Sequence, residues 1–245
     1  MSVYRPIFVW TRAQRVIHWT IALSVLLLIP LGLFILFSEF LHIPEESTDL
    51  VMDTHVAIGF VFGAGIASRL IYLFFGSKTS NWRDVAPLNK KQRELGIATM
   101  RYYLSGFKGK APIYFSHNPL AGLADIALFT FGFTQALSGL SMFFLHGEEH
   151  AHTHGEGAAH AINALANGAA QTSAEGFPEW VLWLHLIGAA VIIGFMLAHF
   201  AALALHDVVE RRGLVSSMIS GRKFFDEEEI KELSEEIKEK TDQQL

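Results

Sequence analysis

From Trp183 to His199 the chain carries two histidines, His185 and His199, in a run whose other side chains are all apolar. That run lies in a segment, about 179–205, long enough to cross the roughly 30 Å hydrocarbon core of a bilayer as a helix. Three more such segments precede it, at about 15–37, 51–75 and 123–144. In lipid a backbone must satisfy its own polar groups, so four isolated apolar runs of this length fold as helices. The expected architecture is therefore an all-α membrane protein, a four-helix transmembrane bundle. Composition agrees, with 51% hydrophobic and 18% charged residues and a mean hydropathy of +0.32. Pro30 is expected to kink the first helix, which membrane helices tolerate. That helix lacks a small-residue cleavage site and reads as a retained span.

Basic residues set the expected orientation. Arg5, Arg12 and Arg15 precede the first helix; Lys78, Arg83, Lys90, Lys91, Arg93, Arg101, Lys108 and Lys110 lie between the second and third; Arg211, Arg212, Arg222 and Lys223 follow the fourth. The connections 38–50 and 146–178 contain neither Lys nor Arg. By the positive-inside rule both termini and the middle loop are cytoplasmic. Within that loop Asn89–Phe107 mixes basic and apolar side chains, as in a helix lying at the cytoplasmic interface.

Orientation assigns a depth to each intramembrane histidine. His18 falls near the cytoplasmic start of the first helix and His55 near the external start of the second. On the fourth helix His185 is external and His199 cytoplasmic. Their fourteen-residue separation corresponds to about 21 Å along a helix, nearly on one face. The histidines thus sort by depth into two pairs, His55 with His185 and His18 with His199. Each pair can supply both axial ligands of a b-type haem. The alternative is four polar side chains satisfied by neighbouring backbone. Two pairs at matched depths argue against it, because ionisable groups are expensive in lipid and usually functional. The chain has no cysteine, which excludes disulfides, covalently attached haem and cysteine-bound iron–sulfur clusters. Gly59, Gly63, Ala64, Gly65, Gly188, Ala189 and Gly194 leave room for a macrocycle or for close helix contact. Arg69 stands fourteen residues after His55, at the depth of the cytoplasmic pair. It either neutralises a haem propionate or snorkels to the interface; Arg15, one turn before His18, offers the same choice.

These residues carry a family resemblance. Arg15-Val-Ile-His18-Trp19, His55-Val-Ala-Ile-Gly59, Arg69-Leu-Ile-Tyr72, Arg101-Tyr-Tyr-Leu104, Ser116-His117-Asn118-Pro119-Leu120-Ala121, the His185/His199 spacing and Leu214-Val-Ser-Ser-Met218-Ile-Ser-Gly221 resemble the cytochrome b subunit of membrane-bound nickel–iron hydrogenases. That subunit is part of a broader bacterial cytochrome b561-like group that also includes the formate dehydrogenase gamma subunit. The resemblance covers most of 5–225; the expected dihaem domain is 1–225, followed by a charged cytoplasmic tail, 226–245.

The resemblance implies that His18, His55, His185 and His199 are the haem ligands. It also implies an outer haem facing the iron–sulfur small subunit of a periplasmic hydrogenase, which accompanies the nickel–iron large subunit, and quinone reduction near the inner haem. The implied role is a multi-pass anchor in the bacterial inner membrane that carries electrons from hydrogen oxidation to quinone, with no part for nucleic acid. His117 and Asn118 suit a quinone carbonyl at the cytoplasmic mouth of the third helix; Asn118-Pro119 equally fits a helix N-cap. The alternatives are the same conduit serving formate dehydrogenase or another periplasmic oxidoreductase, a purely structural anchor, and a metal transporter. The last is motivated by His150, His152 and His154 in the His-rich external loop, a possible metal site or a merely solvated segment.

Overall fold

The computed structural model describes residues 4–146, 179–209 and 214–241. In chain order the elements are β1 (Arg5–Phe8), α1 (Arg12–Phe37), α2 (Glu45–Phe75), α3 (Trp82–Val85), α4 (Lys90–Leu104), α5 (Pro119–His146), α6 (Glu179–Val209), α7 (Leu214–Ser220), β2 (Arg222–Phe225), α8 (Glu227–Glu232) and α9 (Ser234–Thr241). Helices α1, α2, α5 and α6 are each long and apolar enough to cross a membrane. Only 17–22% of each spanning window is buried within the protein. Leu23, Leu26 and Leu27 on α1 and Phe60, Ile71 and Phe74 on α2 are exposed, and so continuous an apolar exterior is suited to lipid.

Two of the long helices begin well before the apolar runs read from the sequence. Helix α2 starts at Glu45, just after Pro44, with Glu45 and Glu46 at its positive N-terminal end. Helix α5 starts at Pro119, whose missing N–H costs nothing at a first helical position. Helix α4 is closed by a capping box between Asn89 and Gln92. It buries Gly96, Thr99 and Tyr102 and exposes Ile97, Met100 and Leu104, so it has an apolar face beyond the one it packs.

The chain's contacts divide it into two compact units. One comprises Trp19–Ala67 and Phe131–Ile193, and close helix approach organises it. A Cβ on Gly63 would lie 3.6 Å from Ala136, and one on Gly65 3.0 Å from Ile21. The ring centres of Phe60 and Phe143 are 5.3 Å apart.

The other unit comprises Met1–His18, Ser68–Thr130 and Gly194–Leu245. Here β1 and β2 pair antiparallel, from Arg5 opposite Phe225 to Phe8 opposite Arg222. The turn into β2 needs glycine. Gly221 has φ +81°, a Cβ there would lie 2.7 Å from the Trp10 carbonyl oxygen, and its own carbonyl accepts from the N–H groups of Val9 and Trp10. Beneath this hairpin Val9, Trp10, Phe115, Phe225 and Leu233 form a buried cluster, joined by Ile230 and Ile237.

Residues 226–241 are thus part of a core. Asp226 caps α8 in a capping box with Glu229. The positions of Ile230, Leu233 and Ile237, spaced three and four apart, put one apolar stripe on the cluster. The exposed pairs Arg5–Glu227 at 3.0 Å and Lys110–Glu232 at 3.1 Å add little, because solvent screens them. Burial of the stripe holds the segment, about 2 kcal/mol for Leu233 alone. Leu233→Asp is therefore expected to release 226–241, read as rapid proteolytic clipping after Phe225; a segment as resistant as wild type would contradict this packing.

Candidate functional site

The first histidine pair lies within the unit built from Trp19–Ala67 and Phe131–Ile193. The rings of His55 on α2 and His185 on α6 have centroids 6.3 Å apart. Imidazole nitrogens bind metals at about 2.0 Å, and each ring centre lies about 1.1 Å behind its nitrogen. Two imidazoles sharing one iron would therefore stand about 6.2 Å apart, so the observed spacing is compatible with bis-histidine ligation. Protonation fits as well. The Ser138 hydroxyl donates to the Gln135 carbonyl and lies 3.0 Å from His185 Nδ1, and His185 also bonds the Gln135 backbone. An Nδ1 held by such a contact leaves Nε2 as the nitrogen that could bind a metal. His55 Nδ1 is buried without a hydrogen-bond partner. Glycines admit both rings, since a Cβ on Gly32 would lie 3.2 Å from His55 Cε1 and one on Gly139 3.3 Å from His185 Cε1.

The small residues singled out in the sequence divide by environment. Gly63 and Gly65 serve helix contact, and a Cβ on Gly188 would lie 2.2 Å from Gln135 Oε1. A Cβ on Gly59 or Gly194 meets nothing within 4 Å; Gly59, four residues after His55, shares the face of that histidine, whereas Gly194, nine after His185, lies on the opposite face of α6.

The second pair lies within the other unit. His18 on α1 is in electrostatic reach of His199 on α6 and of Arg69 on α2, and Phe195 stacks on His199 at 5.9 Å. Arg69 is only 3% exposed. Its Nη1 donates to the Ser80 carbonyl at 3.0 Å, and its guanidinium lies 4.9 Å from the Phe129 ring centre. Its Nη2 is buried without a hydrogen-bond partner. Arg15 is similar, with Nη1 donating to the Ile219 carbonyl and a buried Nε that has no partner. Each arginine thus retains a donor suited to a carboxylate such as a haem propionate.

Beside this pair is a polar cluster. His117 Nδ1 lies 2.6 Å from Asp84 Oδ2, His117 Nε2 lies 3.7 Å from Asp125 Oδ2, and the His117 ring meets Trp10 edge-on at 4.8 Å. Asp84 also accepts from Ser116 Oγ and from Lys240 Nζ. Burial pushes the Asp84 carboxyl upward, but the hydrogen bond and charge of His117, with the charge of Lys240, outweigh it and hold the group below the usual carboxylate range. The backbone is tightly fitted here: a Cβ on Gly122 of α5 would lie 2.0 Å from the Val85 carbonyl oxygen at the end of α3. Asn118 caps α5, its Oδ1 accepting from Leu120 N–H at 2.9 Å. Its Nδ2 donates to Tyr103 Oη at 2.7 Å, and that hydroxyl lies 2.9 Å from His206 Nε2.

The structure thus brings together His55 with His185, places His18 near His199 and Arg69, and seats His117 and Asn118 in one polar cluster. Asp84, Asp125, Tyr103, His206 and Lys240 were not foreseen. Only Asp125 carried a signal in the sequence, as a carboxylate inside an apolar run. His150, His152 and His154 lie outside the described residues. Among the described residues there is no group of three or more His, Asp or Glu able to hold a metal ion.

The chain is similar to proteins described as probable Ni/Fe-hydrogenase B-type cytochrome subunits. That of Rhodobacter capsulatus is 27% identical over 91% of this chain and 84% of its own length. That of Azotobacter chroococcum mcd 1 is 27% identical over 89% of each, and that of Bradyrhizobium diazoefficiens is 28% identical over 91% of this chain and 89% of its own. A family model described as prokaryotic cytochrome b561 matches residues 9–221. With four helices able to span a membrane and that family model matched over most of its length, the chain belongs to the prokaryotic cytochrome b561 family.

Proposed function

We propose that the protein is the dihaem membrane anchor of a periplasmic nickel–iron hydrogenase and passes electrons from hydrogen oxidation to the membrane quinone pool. The 6.3 Å separation of the His55 and His185 rings is the observation that carries this reading. It is compatible with both imidazoles holding one haem iron, which would supply electron transfer there. When bound, each haem supplies a one-electron carrier.

The protein's residues divide the remaining work. His55 and His185 would hold the haem on the side of the hydrogenase, and His18 and His199 the one on the cytoplasmic side. Arg69 and Arg15 would offer their spare N–H groups to propionates. Quinone, reacting beside His18 and His199, takes up two electrons and two protons. His117, oriented by Asp84 through Nδ1, presents Nε2 to a quinone oxygen, gives it a proton and recovers one from the cytoplasmic side. Asn118, engaged by its cap and by Tyr103, fixes the backbone at that point and does not itself need to touch the quinone. The basic segments around β1, α4 and β2 face the cytoplasm, and α4 lies at that interface.

Purification of the tagged chain from native membranes is expected to bring down both hydrogenase subunits, with hydrogen-dependent reduction of decyl-ubiquinone by the complex. A chain that purifies colourless, or in a complex that reduces viologen dye with hydrogen but never quinone, would overturn the assignment.

A further inference from the structure

The family match ends at residue 221, yet the chain continues through β2, α8 and α9 and packs back on the polar cluster. Lys240 on α9 reaches three oxygens there: Asp84 Oδ1, Ser116 Oγ at 2.9 Å and Glu236 Oε1 at 2.8 Å. The side chains of Asp84 and Lys240 are only 3% and 17% exposed. Lys223 on β2 secures the same loop by donating to the carbonyls of Phe115 and Ser116.

We infer that the C-terminal segment 226–241 completes the quinone-protonation site, with Lys240 as a positioning residue that acts on His117 through Asp84. This rests on the quinone reading above. Asp84 has three partners: Oδ2 faces His117 Nδ1, while Oδ1 receives Ser116 Oγ and Lys240 Nζ. Ser116 and Lys240 together fix which oxygen faces the imidazole, and Lys240 adds the positive charge that neutralises part of the carboxylate charge beside His117. The remaining charged groups around the pair are Arg69 on α2, Asp125 on α5, Lys223 on β2 and Glu236 on α9. None of these takes Lys240's place on Oδ1. Removing the Lys240 charge leaves the Asp84 carboxylate uncompensated beside the proton donor, so proton delivery to quinone persists to higher pH.

The test is stopped-flow reduction of the haems of the purified full-length protein by duroquinol across pH, which runs the same proton transfer in reverse. Lys240→Met is expected to keep the wild-type haem content and dithionite-reduced spectrum and to move the pH profile upward by about half a unit to one unit. Lys240→Arg should restore the profile, and Lys238→Met, on the exposed side of α9, should leave it unmoved. A Lys240→Met profile superimposable on wild type would overturn the inference while leaving the quinone reading intact. Wild-type protein whose haems dithionite reduces but duroquinol does not would overturn both, before any variant is made.

Discussion

His55→Ala and His185→Ala are each expected to remove the same one of two haems from the purified protein and to abolish hydrogen-dependent quinone reduction. His18→Ala and His199→Ala should each remove the other haem. Because both imidazoles of a pair hold one iron, the double variant His55→Ala/His185→Ala should lose no more haem than either single variant, a non-additivity characteristic of groups acting as a unit. Pyridine haemochrome quantification with reduced spectra of the variants measures this. Loss of spectrally different haems from His55→Ala and His185→Ala would break the pairing. Full haem content in all four single variants would remove the histidines from ligation altogether. Attachment to the hydrogenase tests a separate matter, because a chain serving only as a structural anchor would keep quinone reduction when His55 or His185 is lost.

Asp84→Asn should leave haem content intact and lower quinone reduction by about 10- to 100-fold, the usual effect of losing a carboxylate that orients a working imidazole. The substitution also strands Lys240 beside a neutral partner. Breaking a buried ion pair costs about 3 kcal/mol or more when the remaining charge stays buried; Lys240, near the chain end, can swing into solvent, so the cost here is smaller. The wild-type pair gives this contact a defined pH window. Asp84 is raised by burial but lowered more strongly by His117 and Lys240, so its stabilisation is present above the ordinary value of 3.8 and disappears as pH falls through its lower folded value. Lys240 is lowered by burial but raised more strongly by Asp84 and Glu236, so its stabilisation is full below 10.5 and disappears as pH rises through its higher folded value. Protease sensitivity of 226–241 should therefore rise at both extremes in wild type and be much less pH-dependent in Asp84→Asn. Equal profiles for the two proteins would show that the pair does not hold the segment.

The haem-ligand candidates were legible because their background is so uniform. A histidine in an apolar run stands out, and the charge asymmetry of the loops orders four of them by depth. The spacing of Ile230, Leu233 and Ile237 allows a short helix in the charged tail but reads at least as well as a solvated segment. What that stripe packs against was not visible, because Val9, Trp10 and Phe115 come from distant parts of the chain. The Asp84–His117–Lys240 cluster was invisible for the same reason. Helix α3 has four residues and gives no periodic signal, and charged residues in a polar loop read as solvated until the fold shows three of them converging. The two readings of Asn118 merged, since it is an N-cap and also part of the polar cluster beside His117.

The pairing of β1 with β2 has a consequence for how the molecule is made. Arg5 and Phe225 are synthesised at opposite ends of translation, and at roughly 5–20 residues per second about 10–45 s separate them. The first strand leaves the ribosome long before its partner exists. All four spanning helices must be threaded before the hairpin can zip, and so remote a contact forms slowly because a very long loop must close first. Trp10 and Phe115 therefore remain without Phe225 and Leu233 until the end. The Lys240 contact to the polar cluster beside His117 forms later still, because its residue follows Phe225 in the chain.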